Sequence, residues 1–105
     1  MTLHQTLMLD DVLLSGVLPG ATGNTIRKDH RPIRTGPLTF LAATGAGTKA
    51  EVTVQSVRHT VASAITEEEI RINGSASLPE FVEEMQRFYP DFGLDTPVTV
   101  VAWKA

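Results

Sequence analysis

The sequence predicts an α+β domain built on a mixed, barrel-like β-sheet with two or three short helices. Three observations carry that prediction. Strand-like segments stand before, between and after the helical ones, with no alternating βαβ repeat. Lys49 to Ser63 is the longest β signal, with Val52 and Val54 alternating with Glu51, Thr53 and Gln55. Ser77-Leu78-Pro79-Glu80 has the form of a capping box opening a helix whose apolar residues Leu78, Phe81, Val82, Met85 and Phe88 share one face.

In chain order, Leu3–Leu9 reads as a first strand, followed by one or two helical turns with Asp10 as N-cap, Gly16 as the stop, and Val12, Leu13 and Leu14 toward the core. Gly16 to Gly23 is a glycine-rich turn. It lacks the lysine and the spacing of a phosphate-binding P-loop. Gly36-Pro37 makes a turn, Leu38–Ala43 a buried strand, and Thr44–Gly47 a second turn. In the long β segment the apolar phase shifts to Val57 and Val61, which requires a bulge, a bend or two successive strands. Thr66 caps a short helix that begins with Glu67, Glu68 and Glu69, where carboxylates meet the positive helix end. Tyr89-Pro90 ends the Ser77 helix, and Pro97–Trp103 closes the chain as a strand in which Trp103 is a core or barrel-closing aromatic.

With 105 residues, the chain forms one domain, residues 1–105. It has no cysteine, which excludes disulfides, thiolate nucleophiles and cysteine-based zinc sites. His4, His30 and His59 have no metal-ligand spacing, so neither metal nor cofactor is expected. The N-terminal residues lack a signal-peptide pattern and no apolar run approaches the ~20 residues of a membrane span. The expectation is a cytoplasmic protein, a monomer or small homo-oligomer, with no membrane partner.

Charge is unevenly placed. Asn24 to Arg34, NTIRKDHRPIR, carries Arg27, Lys28, Arg31 and Arg34 against Asp29, a charge of +3 in a chain of formal net charge −3. Guanidinium forks beside a threonine hydroxyl suit an oxyanion or a nucleotide. The expected display is a basic loop between the glycine-rich turn and the Leu38 strand. His30 lies within it as a surface or pocket-lining residue, and one of Arg58 and His59 is expected to face the cleft.

The order of these pieces resembles the ASCH domains of the PUA-like superfamily, especially small phage and bacterial members. Gly16 and Thr25-Ile26-Arg27 match the ends of an early G-x-K-T-x-T-I-R signature, Gly45–Lys49 resembles a later turn, and Asn73–Ser77 sits where such proteins carry a D-G-F-A-S-like element. The resemblance implies a small PUA-like β-barrel whose cleft binds RNA, a nucleoside or a modified base. Its enzymatic branch, amidohydrolases acting on acetylated cytidine, implies a lysine, a threonine and a glutamate as the chemical groups. Thr25 matches the threonine, whereas Thr22 stands at the lysine position and Gly74 at the glutamate position.

The expected ligand-binding residues are Thr22, Asn24, Arg27, His30, Arg31, Arg34, Asn73 and Ser75, with Thr25, Lys28 and Lys49 as the catalytic candidates. The leading expectation is a binding domain for RNA or a nucleoside or nucleotide ligand. The alternatives are an amidohydrolase or ribonuclease with displaced catalytic groups, and an interaction protein for a host factor.

Overall fold

A computed structural model describes residues 5–44 and 47–105, without the side chains of Asp11 and Val12. The expected strand start at Leu3, His4, the inward-facing Val12 and the Gly45-Ala46 part of the second turn lie outside the described residues. Five strands, β1 (Gln5–Leu9), β2 (Thr22–Lys28), β3 (Gly36–Ala42), β4 (Lys49–Val61) and β5 (Pro97–Lys104), form one sheet in the order β1-β3-β4-β5-β2. β1 runs parallel to β3 and every other pairing is antiparallel. The sheet curls into a half-barrel, the mixed α+β architecture expected. The helices are α1 (Asp11–Leu14), α2 (Glu67–Asn73) and α3 (Leu78–Phe88), with a 3-10 turn at Ala62–Ala64.

β5 organises the sheet because it lies between β4 and β2 and is buried from Val98 through Val101. Successive strand residues point to opposite faces, so β5 supplies two cores at once. On one face Val101 and Trp103 pack with Leu38, Phe40, Val52 and Val54, the rings of Phe40 and Trp103 meeting edge-on at 5.7 Å. On the other face Val98 and Val100 pack with Ile26, Ile70, Phe81 and Phe92 beneath α2 and α3. Trp103 is thus a core aromatic, as expected.

The apolar phase shift in the long strand is a β-bulge. Val54 pairs with Trp103 and Ser56 with Ala102, leaving Gln55 as the extra residue in a single strand of 13 residues. α2 has the reciprocal capping box: Thr66 accepts from the Glu69 backbone N–H, and the Glu69 carboxylate accepts from the Thr66 N–H. Gly74 ends it in the left-handed conformation, at φ 104°. Ser77 caps α3 by accepting from the Glu80 N–H at 3.3 Å, and Pro79 sits in the first turn.

Three expectations need correction. Gly36-Pro37 belongs to the start of β3 rather than to a separate turn. Leu13 is 58% exposed and Phe88 77% exposed, so neither joins the core. Residues 22–28, expected as turn and loop, form edge strand β2, paired residue for residue with β5. Tertiary pairing with the β-branched β5 decides that conformation against the poor strand propensity of Gly and Asn. Among the described residues no helix is long and apolar enough to cross a membrane.

One glycine in β2 is required by packing. A Cβ on Gly23 would lie 2.6 Å from Cζ2 of Trp103, closer than carbon atoms can approach. Gly23→Ala is expected to destabilise the fold by ~1–3 kcal/mol through overpacking, read as a lower urea midpoint with altered Trp103 fluorescence. An unchanged midpoint would contradict this packing.

Candidate functional site

β2 is an edge strand, and its alternation sends Gly23, Thr25 and Arg27 to the Trp103 face and Asn24, Ile26 and Lys28 to the helix face. β1 is the opposite edge of the sheet. Between these edges lies a cleft of about 400 Å³ that draws on both faces of β2. Its volume falls within the ~300–1,000 Å³ typical of small-molecule sites. Thr25, Arg27 and Lys28 contribute from β2, Met8 and Leu9 from β1, Leu13 from α1, and Met85, Phe88 and Tyr89 from the end of α3. Arg31 reaches it from the following loop, and Asn73 from the end of α2.

Arg27 spans the gap between the two edges. Its Nη2 donates to the Met8 carbonyl at 2.7 Å and its Nε to the Thr25 hydroxyl at 2.9 Å. Burial holds its pKa below the ordinary arginine value, the positive charge of Arg31 lowers it further, and Tyr89 partly opposes both. Guanidinium stays protonated in proteins, so the shift signals a desolvated cation beside a like charge. Lys28, from the other face, places its ammonium 5.3 Å from the centre of the Tyr89 ring, a cation–π contact, and 3.5 Å from the exposed Asp29 carboxylate. Among the described residues, three cations and one lining acid, Asp10, give the cleft a net charge of +2.

The loop that carries Arg31 is tied down at several points. Asp29 adopts φ +71° as the chain leaves β2, an uncommon backbone for a non-glycine residue. Thr99, fully buried on β5, donates its hydroxyl to the Asp29 carbonyl at 2.7 Å and accepts from the Arg31 N–H at 2.8 Å. The Arg31 side chain donates from Nε to the Lys28 carbonyl at 3.0 Å. His30 and His59 stack with centroids 5.0 Å apart. His30 Nε2 lies 2.9 Å from the Thr60 carbonyl and His59 Nε2 lies 2.8 Å from the Arg31 carbonyl, so both nitrogens carry hydrogen and donate. At the far end, Gln5 donates to the Arg34 and Pro37 carbonyls and accepts from the Arg34 N–H.

Of the residues expected from sequence, Thr25, Arg27, Lys28, Arg31 and Asn73 meet at this cleft. Thr22 and Asn24 line an adjoining chamber of about 190 Å³ together with Gly23 and Trp103. The Asn24 amide donates to the Glu69 carbonyl at 3.0 Å, and its carbonyl accepts from the Asn73 amide at 3.1 Å. Thr25 and Asn73 line both cavities.

The others lie elsewhere. His30 is turned toward β4, and the exposed Arg34 sits at the Gln5 end of the loop. Lys49 begins β4 opposite Leu41, outside the cleft. Ser75 is buried and donates to the Glu84 carboxylate at 3.2 Å. Arg58 pairs with Glu69, so neither Arg58 nor His59 faces the cleft. A larger hollow, about 560 Å³, lies between α2 and α3; Glu67 and Arg71 line it as one acid and one base, with no residue of the basic segment.

Sequence reasoning missed Met8, Leu13, Phe88 and Tyr89 as cleft residues, having assigned Leu13 and Phe88 to the core. The available signal for Phe88 was its place in the last turn of α3, directly before Tyr89-Pro90, where the helix is already leaving the sheet.

Fold and site together define a small α+β half-barrel domain with a cationic cleft at its seam. No family model matches the chain, and no curated protein matches it. Among solved structures, the chain is similar to the crystal structure of protein EF3133 from Enterococcus faecalis V583, described by the family label DUF984. The TM-score is 0.61 at 13% identity, covering 100% of this chain and 77% of that one. At that identity the similarity speaks for the fold.

Thr99→Val preserves shape but leaves the Asp29 carbonyl and the Arg31 N–H without their partner. A loss of ~1–3 kcal/mol is expected, with faster hydrogen exchange at the Arg31 amide. Wild-type exchange there would contradict the assigned role of Thr99.

Proposed function

We propose that this chain is an ASCH-like binding domain that holds RNA or a modified nucleoside at the seam between β1 and β2. The observation that carries the reading is the convergence of Arg27, Lys28 and Arg31 on one cleft beside the Thr25 hydroxyl. Guanidinium and ammonium groups supply charge-assisted hydrogen bonds to phosphate. Phe88 and Leu13, both exposed at the lip, offer apolar cover for a ring or sugar. The order of sequence elements shared with ASCH domains, and the half-barrel fold, support the same reading.

A second reading, hydrolysis of acetylated cytidine, is favoured by one observation: Thr25, Lys28 and Asp10 line the same cleft. Water would add to the acetyl carbonyl and the amide C–N bond would break, giving acetate and the free exocyclic amine. Thr25 would position the acyl oxygen, while Lys28 or Asp10 would handle the proton. Mass spectrometry after incubation with acetylcytidine separates the readings, since binding alone leaves the acetyl group in place.

Titration with a short single-stranded RNA tests the leading reading. Lys28→Ala and Arg31→Ala are expected to weaken binding about tenfold and to reduce the salt slope by about one. Arg34→Ala and Lys49→Ala should bind as wild type. Equal affinity across all four variants, or no binding of RNA or acetylcytidine by the wild type, would overturn it.

A further inference from the structure

We infer that the cationic cleft and the adjoining chamber form one bipartite site for a nucleoside monophosphate. The phosphate lies among Arg27, Lys28 and Arg31, and the base enters the chamber beside the Asn24–Asn73 amide pair and Trp103. This rests on the reading of the cleft as a nucleoside-type site, and adds which form of ligand it selects and how that ligand is oriented.

The continuity of the two cavities carries the argument. Leu9, Leu13, Thr25 and Asn73 line both, so the two cavities adjoin and one ligand that spans them would have a part in each. Their chemistry is segregated. All three cations belong to the larger cavity, and no cation among the described residues lines the chamber. Gly23, Trp103, Asn24 and Asn73 are among the residues that line the chamber. About 190 Å³ suits a single planar ring system and excludes a stacked run of bases.

The amide pair is fixed in orientation. Asn24 donates to the Glu69 carbonyl and accepts from Asn73, a chain that anchors both side chains to α2. The Asn73 bond uses only one of that amide's hydrogens. A carboxamide presents both donors and acceptors, the complement needed by the Watson–Crick edge of a base. At the other end, Arg27 is half-buried beside Arg31, and a phosphate would offset that repulsion where a neutral nucleoside would not. Asp10 also lines the larger cavity, and among the described lining residues the cations remain in excess.

The test is isothermal calorimetry of the full chain with the four ribonucleoside 5′-monophosphates, the four nucleosides and inorganic phosphate, repeated with Lys28→Gln and Asn73→Ala. Thermal denaturation checks that each variant is folded. At least one monophosphate is expected to bind tenfold or more tightly than its own nucleoside. Lys28→Gln should weaken the monophosphate more than the nucleoside, narrowing that gap to about twofold, and Asn73→Ala should weaken nucleoside and monophosphate by the same factor. Should Asn73→Ala fail to fold, Thr22→Val, at the chamber wall, replaces it with the same expectation. Equal affinity for nucleoside and monophosphate would overturn the proposal while leaving the nucleoside-site reading intact. Equal affinity for all four monophosphates and inorganic phosphate would overturn it in favour of bare anion binding. Failure of every nucleoside and monophosphate to bind, with RNA still bound, would overturn this proposal alone; loss of RNA binding as well would remove the underlying reading too.

Discussion

The site depends on one constraint: the curled sheet brings its two edge strands together without pairing them, and Arg27 spans the gap. An edge strand carries unpaired backbone groups, and a half-barrel has two such edges. Here the guanidinium satisfies the Met8 carbonyl on β1 while bonding to Thr25 on its own strand. Closing the seam with a side chain in place of a backbone ladder leaves a cleft where a fully closed barrel would have none. It also draws a cation partly out of water beside Arg31, and that burial is the larger cause of its lowered pKa. The resulting excess of positive charge is what an anionic ligand would neutralise.

The surrounding structure holds this arrangement in register. Thr99, inside the sheet, bonds to both sides of the turn that follows β2, and the stacked histidines bond carbonyls on both the turn and β4. Arg31 therefore faces the seam, while Arg34 is carried away toward Gln5. Tyr89 sits under the Lys28 ammonium, so the end of α3 helps to place a charge that belongs to β2. Neighbouring basic residues with the same composition thus end in different surroundings.

Much of the frame was legible in the sequence because its signals are local. The Thr66 and Ser77 caps, the alternation of β4 and its phase change each follow from residues a few positions apart. The basic segment was legible as chemistry but not as conformation. Its Gly, Asn and Thr residues suggest a loop, and only pairing with β5, from Lys28 with Val98 to Thr22 with Lys104, makes residues 22–28 a strand. For the same reason composition could not separate Arg27 and Lys28 from Arg34, or Lys28 from Lys49. Leu13 and Phe88 have the right spacing for the core, yet in the single turn of α1 it is Leu14 that enters the core, and Phe88 is the last residue of α3.

The central claim is that ligand binds at the seam between β1 and β2. Backbone amide NMR during titration with a ribonucleoside monophosphate addresses it most directly. The account predicts that perturbations concentrate at Met8, residues 25–28, Arg31, Asn73 and Tyr89, with Lys49, Ser75 and Arg34 unmoved. Perturbations centred instead on the hollow between α2 and α3, around Arg71 and Leu78, would contradict it.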